Sequence, residues 1–220
     1  MGKITILDTT TLNPVTLIGK MAGVCWGANT KDDIKNYQRG LECLKANHGR
    51  TFEFVVVDMV LEGYSARVIR EWYTHIGGAP TRLQASTRYV DYKDFPYVTP
   101  PSIENNMLAE PVYRRTMKDI REGLQALEEL GVPKEDCAMI LPLGMTTKIV
   151  DHRNVRSLMD MSHQRKCIRA YWEYRELFAD LENALSSYSK EWKYIVDNHF
   201  KPKCEVLGYC PETYPCGKMG

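Results

Sequence analysis

The chain has 220 residues, of which 44% are hydrophobic and 26% charged, and a formal net charge of +1. This is the composition of a globular protein of one domain or at most two, long enough to bury a core without staples. It lacks the charge excess that draws a protein to nucleic acid or an anionic membrane, and no apolar run approaches membrane-spanning length.

Met1 to Asp8 reads as a strand with no leader peptide. Seven scattered cysteines, an odd number, then argue for reduced thiols in a cytoplasm. Lys31 to Asn47 reads as a helix with Ile34, Tyr37, Leu41 and Leu44 on one face, closed by Gly49. Thr51 to Val60 reads as a strand, rich in β-branched and aromatic residues, that breaks at Gly63. Ser65 is placed to cap a helix running to about Thr74, with Val68, Ile69 and Trp72 on its inner side. Gly77, Gly78 and Pro80 interrupt regular structure, Thr81 to Tyr92 is polar, and Pro96 and Pro100-Pro101 mark a loop. Pro111 to Leu130 predicts a long amphipathic helix on a Met117, Ile120, Leu124 and Leu127 stripe, ended by Gly131. Ala138 to Leu143 reads as a short buried strand stopped by Pro142 and Gly144. Asn154 caps a helical region that reaches about Asn198, with a break near Lys166. Residues 201–220 form an irregular tail. One α+β domain over residues 1–220 follows, a mixed or antiparallel sheet packed with long helices. Trp26 and the run Tyr171, Trp172, Tyr174 read as core.

Chemistry is concentrated in His75 to Tyr89, HIGGAPTRLQASTRY. After a glycine-rich turn come two arginines, whose planar donor forks suit phosphate. Hydroxyls of Ser86, Thr81 and Thr87, with backbone amides, complete an anion cradle, and Gln84 can donate to and accept from a pyrimidine edge. The same composition also describes a solvated polar loop, and residues alone leave both readings open.

Gln84-Ala85-Ser86-Thr87-Arg88-Tyr89 resembles the [E/Q]-x-S-x-R-Y half of the signature of the flavin-dependent thymidylate synthases. Arg70 and His75 match part of its R-Q-x-x-R-H-R half. Gly131-Val132-Pro133-Lys134-Glu135 with Leu141-Pro142 is similar to the family's G-x-P-x-E block and its following L-P. Asn154-Val155-Arg156-Ser157-Leu158 resembles N-x-R-S-L, Arg165 stands at the arginine of the L-R pair, and Ala170 to Tyr174 resembles A-Q-x-E-I. His48 with Phe52-Glu53 resembles H-x-[S/T]-P-F-E-H. The pieces keep the family's order, which makes them specific together.

The resemblance implies a cytoplasmic homotetramer with shared active sites that methylates dUMP to dTMP. FAD is its cofactor, with 5,10-methylenetetrahydrofolate and NADPH as co-substrates and no metal. It implies that Gln84, Ser86, Thr87 and Arg88 hold the nucleotide, with Arg88 on its phosphate, and that Arg165 contacts the uracil. Arg165 and Ser86 are the expected catalytic residues. His75, Arg156, Asp160 and His48 are expected at FAD. Nine residues separate Arg156 from Arg165, which puts them on opposite sides of an unbroken helix.

The sequence departs from the pattern where Thr74 and Ile76 flank His75 in place of arginines. Ala138 stands where many members have an arginine, Gln164 replaces a leucine, and Tyr171 a glutamine. Arg82 is the expected replacement cation, with Arg153 or Lys148 as further candidates. Other readings are a related methylase of UMP, a nucleotide-binding homologue without turnover, a Pro215-Cys216 nucleophile as in folate-only thymidylate synthases, and a zinc site on Cys204, Cys210, Cys216 and His199.

Overall fold

The computed structural model describes residues 2–219. Strand β1 (Lys3–Ile6) is followed by α1 (Pro14–Cys25), α2 (Asp33–Lys45) and the single turn α3 (Gly49–Phe52). β2 (Val56–Ser65) leads directly into α4 (Ala66–Trp72). β3 (Thr81–Gln84), the turn α5 (Pro101–Glu104) and the long α6 (Ala109–Glu129) precede the turn α7 (Lys134–Cys137). β4 (Thr146–Asn154) runs into α8 (Val155–Arg165), and α9 (Trp172–Tyr188), α10 (Lys190–His199) and the short α11 (Lys203–Leu207) close the chain. The strands form one sheet in the order β1-β2-β4-β3, and the class is the expected α+β with an antiparallel sheet.

The chain divides into two compact units. The first contains Leu61–Tyr73 and Leu83–Ile149. Its core gathers Tyr92, Phe95 and Met145 with Cys137 on the expected stripe of α6, where Met117 and Leu124 are buried and Ile120 and Leu127 partly so. Burial of each such side chain stabilises by about 1.5–3 kcal/mol. The α4 cap is the predicted one: Ser65 Oγ accepts from the Val68 amide at 3.2 Å, and Val68, Ile69 and Trp72 are buried.

The second unit contains Ile4–Val60, Thr74–Arg82 and the chain from Val150 onward. In it α1 and α2 touch backbone to backbone. A Cβ on Gly19 would stand 1.8 Å from the Asn36 carbonyl oxygen, and one on Gly40 1.9 Å from that of Val15. This contact turns α2 so that Asn36, Gly40, Cys43 and Leu44 face inward, while Ile34, expected on the buried face, is 75% exposed. α9 and α10 contribute Tyr174, Leu177, Phe178, Leu181, Leu185, Trp192 and Ile195, all buried.

Several elements differ from the sequence expectation. α1 is a helix that the composition of its segment did not announce. Asn47, with φ of 53°, holds the left-handed position after α2, and Gly49 opens α3 instead of closing the previous helix. β2 begins later than expected and passes through Gly63, whose φ of 78° is absorbed within the strand. Ala138 to Leu143 is not a strand. It is a 3-10 turn over Ala138–Ile140 followed by a loop, with Met139 85% exposed, because the Pro133-led turn α7 carries straight into it and Pro142 has no amide to give a ladder. The strand is β4, whose buried positions alternate in Thr147, Ile149, Asp151 and Arg153. Three of these four are polar, so no apolar period marks the segment. The helical break at Lys166 is as expected, with a second one at Ser189. Trp26 is 56% exposed and not core, since it caps the end of α1.

Candidate functional site

In the second unit the candidate residues are set by α8. Asn154 starts this helix by accepting the Ser157 amide at 2.9 Å from an extended backbone. Arg156 and Asp160 lie four residues apart, on one helical face, and both line a cavity of about 560 Å³. Lys45, Arg50 and Lys201 also line it, with His163, His199 and Glu205. Burial and the nearby Lys201 lower the His199 pKa from its ordinary value. Arg156 Nη1 donates to Glu53 Oε1 at 2.7 Å, and Glu53 also lies 3.7 Å from Arg50. A wall with several cations and donor forks suits a ligand carrying phosphates. His48 is exposed, edge-on to Trp26 with ring centroids 6.4 Å apart, between the lining residues Asn47 and Gly49.

Arg165 is the last residue of α8 and has different neighbours from Arg156. Its Nε donates to Nε2 of His75 at 2.9 Å. Its guanidinium lies over the Tyr174 ring, 4.4 Å from the centroid, and His75 meets the same ring edge-on at 6.0 Å. Burial, reinforced by the Arg165 and Arg153 guanidinium groups, pushes the His75 pKa down to about 4. The imidazole is therefore neutral at pH 7 and, since Nε2 accepts, carries its proton on Nδ1. Arg82 lies half-buried on β3. Arg153 is not available as a replacement cation. Its side chain is fully buried against Asp151, Nε to Oδ2 at 2.5 Å and Nη2 to Oδ1 at 3.1 Å, because β4 turns that position inward.

In the first unit Gln84 ends β3 and its Nε2 donates to Thr147 Oγ1 at 3.3 Å. The chain then makes a tight turn. The Tyr89 and Val90 amides donate to the Ser86 carbonyl at 3.2 and 3.0 Å, and the Arg88 amide donates to Ser86 Oγ at 3.2 Å. An anion taken up by the Arg88 amide would displace the serine hydroxyl. The Arg88 guanidinium is 62% exposed, 4.0 Å from Glu135. Thr87 lines a small cavity with Lys134 and Ala138, so the position that lacks the family's arginine has a lysine beside it. Lys148 is exposed and paired with Glu62 at 2.9 Å.

Sequence reasoning missed Lys45, Arg50, Lys201 and Lys134 as site cations and took Tyr174 for core alone. The cluster Lys45, His48, Arg50 was a usable local signal, whereas Lys201 and Tyr174 join their neighbours only through folding. Cys167, Cys204, Cys210 and Cys216 line one cavity, without His199, and among the described residues no group of three or more His, Cys, Asp or Glu is placed to hold a metal ion. Among those residues no helix is long and apolar enough to cross a membrane.

Comparison with known proteins bears on most of the chain. Residues 5–187 match the family described as "Thymidylate synthase complementing protein". The flavin-dependent thymidylate synthase of Nitratidesulfovibrio vulgaris is 31% identical over 88% of this chain and 82% of its own. That of Thermococcus onnurineus is 31% identical over 75% of this chain and 68% of its own. Among solved structures, thymidylate synthase X of Helicobacter pylori, with FAD and dUMP, superposes with a TM-score of 0.70 at 17% identity, covering 91% of this chain and all of that one. The ordered motifs, the fold and the extent of these matches lead to one conclusion: this chain belongs to the family of flavin-dependent thymidylate synthases.

Proposed function

We propose that the chain is a methyltransferase that converts dUMP to dTMP with FAD as its cofactor, 5,10-methylenetetrahydrofolate as carbon donor and NADPH as reductant. The observation that carries this reading is the cation-lined cavity that contains Arg156 and Asp160, two of the four positions that the resemblance places at FAD. Arg156, Lys45, Arg50 and Lys201 match the diphosphate of FAD in charge, so the residues present fit the group. FAD, when bound, supplies the redox chemistry of the reaction.

The chain's own residues bind and polarise. Arg165 takes the uracil ring, where a cation beside a carbonyl and N3 favours enolate-like charge and makes C5 nucleophilic. Arg88 takes the nucleotide phosphate, Ser86 yields the Arg88 amide to it, and Gln84 and Thr87 orient the nucleotide. Arg82 and Lys134 offset the missing arginines at Thr74, Ile76 and Ala138. His48 flanks the flavin cavity. The family match runs through both compact units, which supports one functional domain, and a homotetramer with shared sites in the cytoplasm completes the proposal.

The test is visible absorption of the purified protein during dUMP titration. A yellow protein whose flavin band at about 450 nm shifts saturably with dUMP, then turns over with methylenetetrahydrofolate, supports the reading. A flavin band that responds to UMP alone moves the substrate to the ribonucleotide. A protein that takes up no FAD overturns the flavoenzyme assignment.

A further inference from the structure

We propose that His75 is a positioning residue for Arg165: its Nε2 lone pair holds the Arg165 Nε and so sets the plane in which the guanidinium meets the nucleotide base. This rests on the assignment of Arg165 to the uracil ring. An arginine at the last turn of a helix has a long side chain with several rotatable bonds, and fixing it takes directed contacts. Two are present. The Nε–H···Nε2 bond of 2.9 Å closes one edge of the guanidinium, and the Tyr174 ring at 4.4 Å closes one face. Together they define both the plane of the fork and its rotation about the Cδ–Nε bond.

The arrangement works only with a neutral imidazole, because a protonated Nε2 cannot accept. The surroundings keep it so: the charged groups that act on His75 are the guanidiniums of Arg165 and Arg153, the ring packed on it is Tyr174, and its chain neighbours Thr74 and Ile76 bring no charge. Tyr174 holds the second wall firmly because it is fully buried in α9.

The two ring nitrogens separate this role from a direct contact with flavin. A glutamine places its terminal amide oxygen near the position of Nε2, and an asparagine near that of Nδ1. The enzyme with Arg165→Lys, Arg165→Ala, His75→Ala, His75→Gln, His75→Asn and the double variant His75→Ala/Arg165→Lys is assayed for flavin content and for dUMP affinity by calorimetry. Lysine retains the charge of Arg165 but has neither the Nε–H nor the planar fork. Expected is a loss of dUMP affinity of about tenfold in His75→Ala and His75→Asn with flavin content unchanged, recovery in His75→Gln, and no further loss from His75→Ala in the Arg165→Lys background. Additive losses in that cycle overturn the proposal. So does a His75→Ala protein that loses flavin while its loaded fraction binds dUMP normally, which would make His75 a cofactor ligand. Unchanged dUMP affinity in Arg165→Lys and Arg165→Ala removes the uracil assignment itself, and the proposal with it. If His75→Ala does not fold, the Gln and Asn pair, equal in polarity and differing in reach, decides between the two ring nitrogens.

Discussion

A Cβ on Gly78 would stand 2.4 Å from the side-chain nitrogen of Asn154, the residue that caps α8. The loop carrying His75 therefore closes directly over the start of the helix carrying Arg156, Asp160 and Arg165, and the contact requires a glycine. Its φ of 77° adds a second reason, since that region disfavours every residue with a Cβ. Gly78→Ala is expected to lower the thermal midpoint by at least about 2 °C at fixed protein concentration, from a backbone cost of about 1–2 kcal/mol before any clash. Asn154→Ala removes the Ser157 cap and is expected to cost about 1 kcal/mol in a denaturant titration.

The Asp151–Arg153 pair has side chains with no exposure at all. Removing one partner takes away the charge that the other faces in this buried pair, so Asp151→Asn or Arg153→Met is expected to destabilise by about 3–5 kcal/mol. The double replacement Asp151→Leu/Arg153→Met, which removes both charges, is expected to be milder than either single change. Urea unfolding midpoints of the three proteins check this, and a double variant that loses as much as either single would contradict it.

His75 gives a pH dependence of definite sign. Its pKa falls from 6.5 in the unfolded chain to about 4 in the fold, so between those values the unfolded state binds more protons. The stability it contributes is fully present above pH 6.5 and is lost as pH falls toward 4. His199, lowered by burial and by Lys201, acts in the same sense. Denaturant titrations at pH 7 and pH 5 are expected to show lower stability at pH 5, with a smaller difference in His75→Gln. An unchanged difference in that variant would assign the effect to His199 and the carboxylates.

At the nucleotide turn, Arg88→Ala is expected to weaken dUMP binding by about 1.5–3 kcal/mol, roughly ten- to a hundredfold, as loss of a charged hydrogen bond. Ser86→Ala frees the Arg88 amide from its intramolecular acceptor. Its effect on dUMP affinity is expected to be much smaller than that of Arg88→Ala, and to appear in turnover. Calorimetry and steady-state kinetics on the same preparations separate the two. Arg82→Ala and Lys134→Ala, measured alongside, identify which cation offsets the missing arginines.

The sequence by itself determined whatever local rules govern. The Ser65 and Asn154 caps, the α6 stripe through Met117 and Leu124, and the end of α8 beside Lys166 follow from side-chain hydrogen bonding and a 3.6-residue period that a single segment contains. The ordered motifs around Ser86, Arg88, Arg156 and Arg165 likewise belong to the chain as written and were enough to name the family. Only the tertiary structure decided the rest. β4 escaped detection because Thr147, Asp151 and Arg153 are buried polar residues, tolerated inside only when a partner satisfies them, as Asp151 does for Arg153. The inward face of α2 was set by the glycines at positions 19 and 40, where helix backbones touch, and not by the apolar period that includes Ile34. The bond from Arg165 to His75 joins residues 90 positions apart. No local pattern encodes that distance, because only the folded chain fixes which donor meets which lone pair.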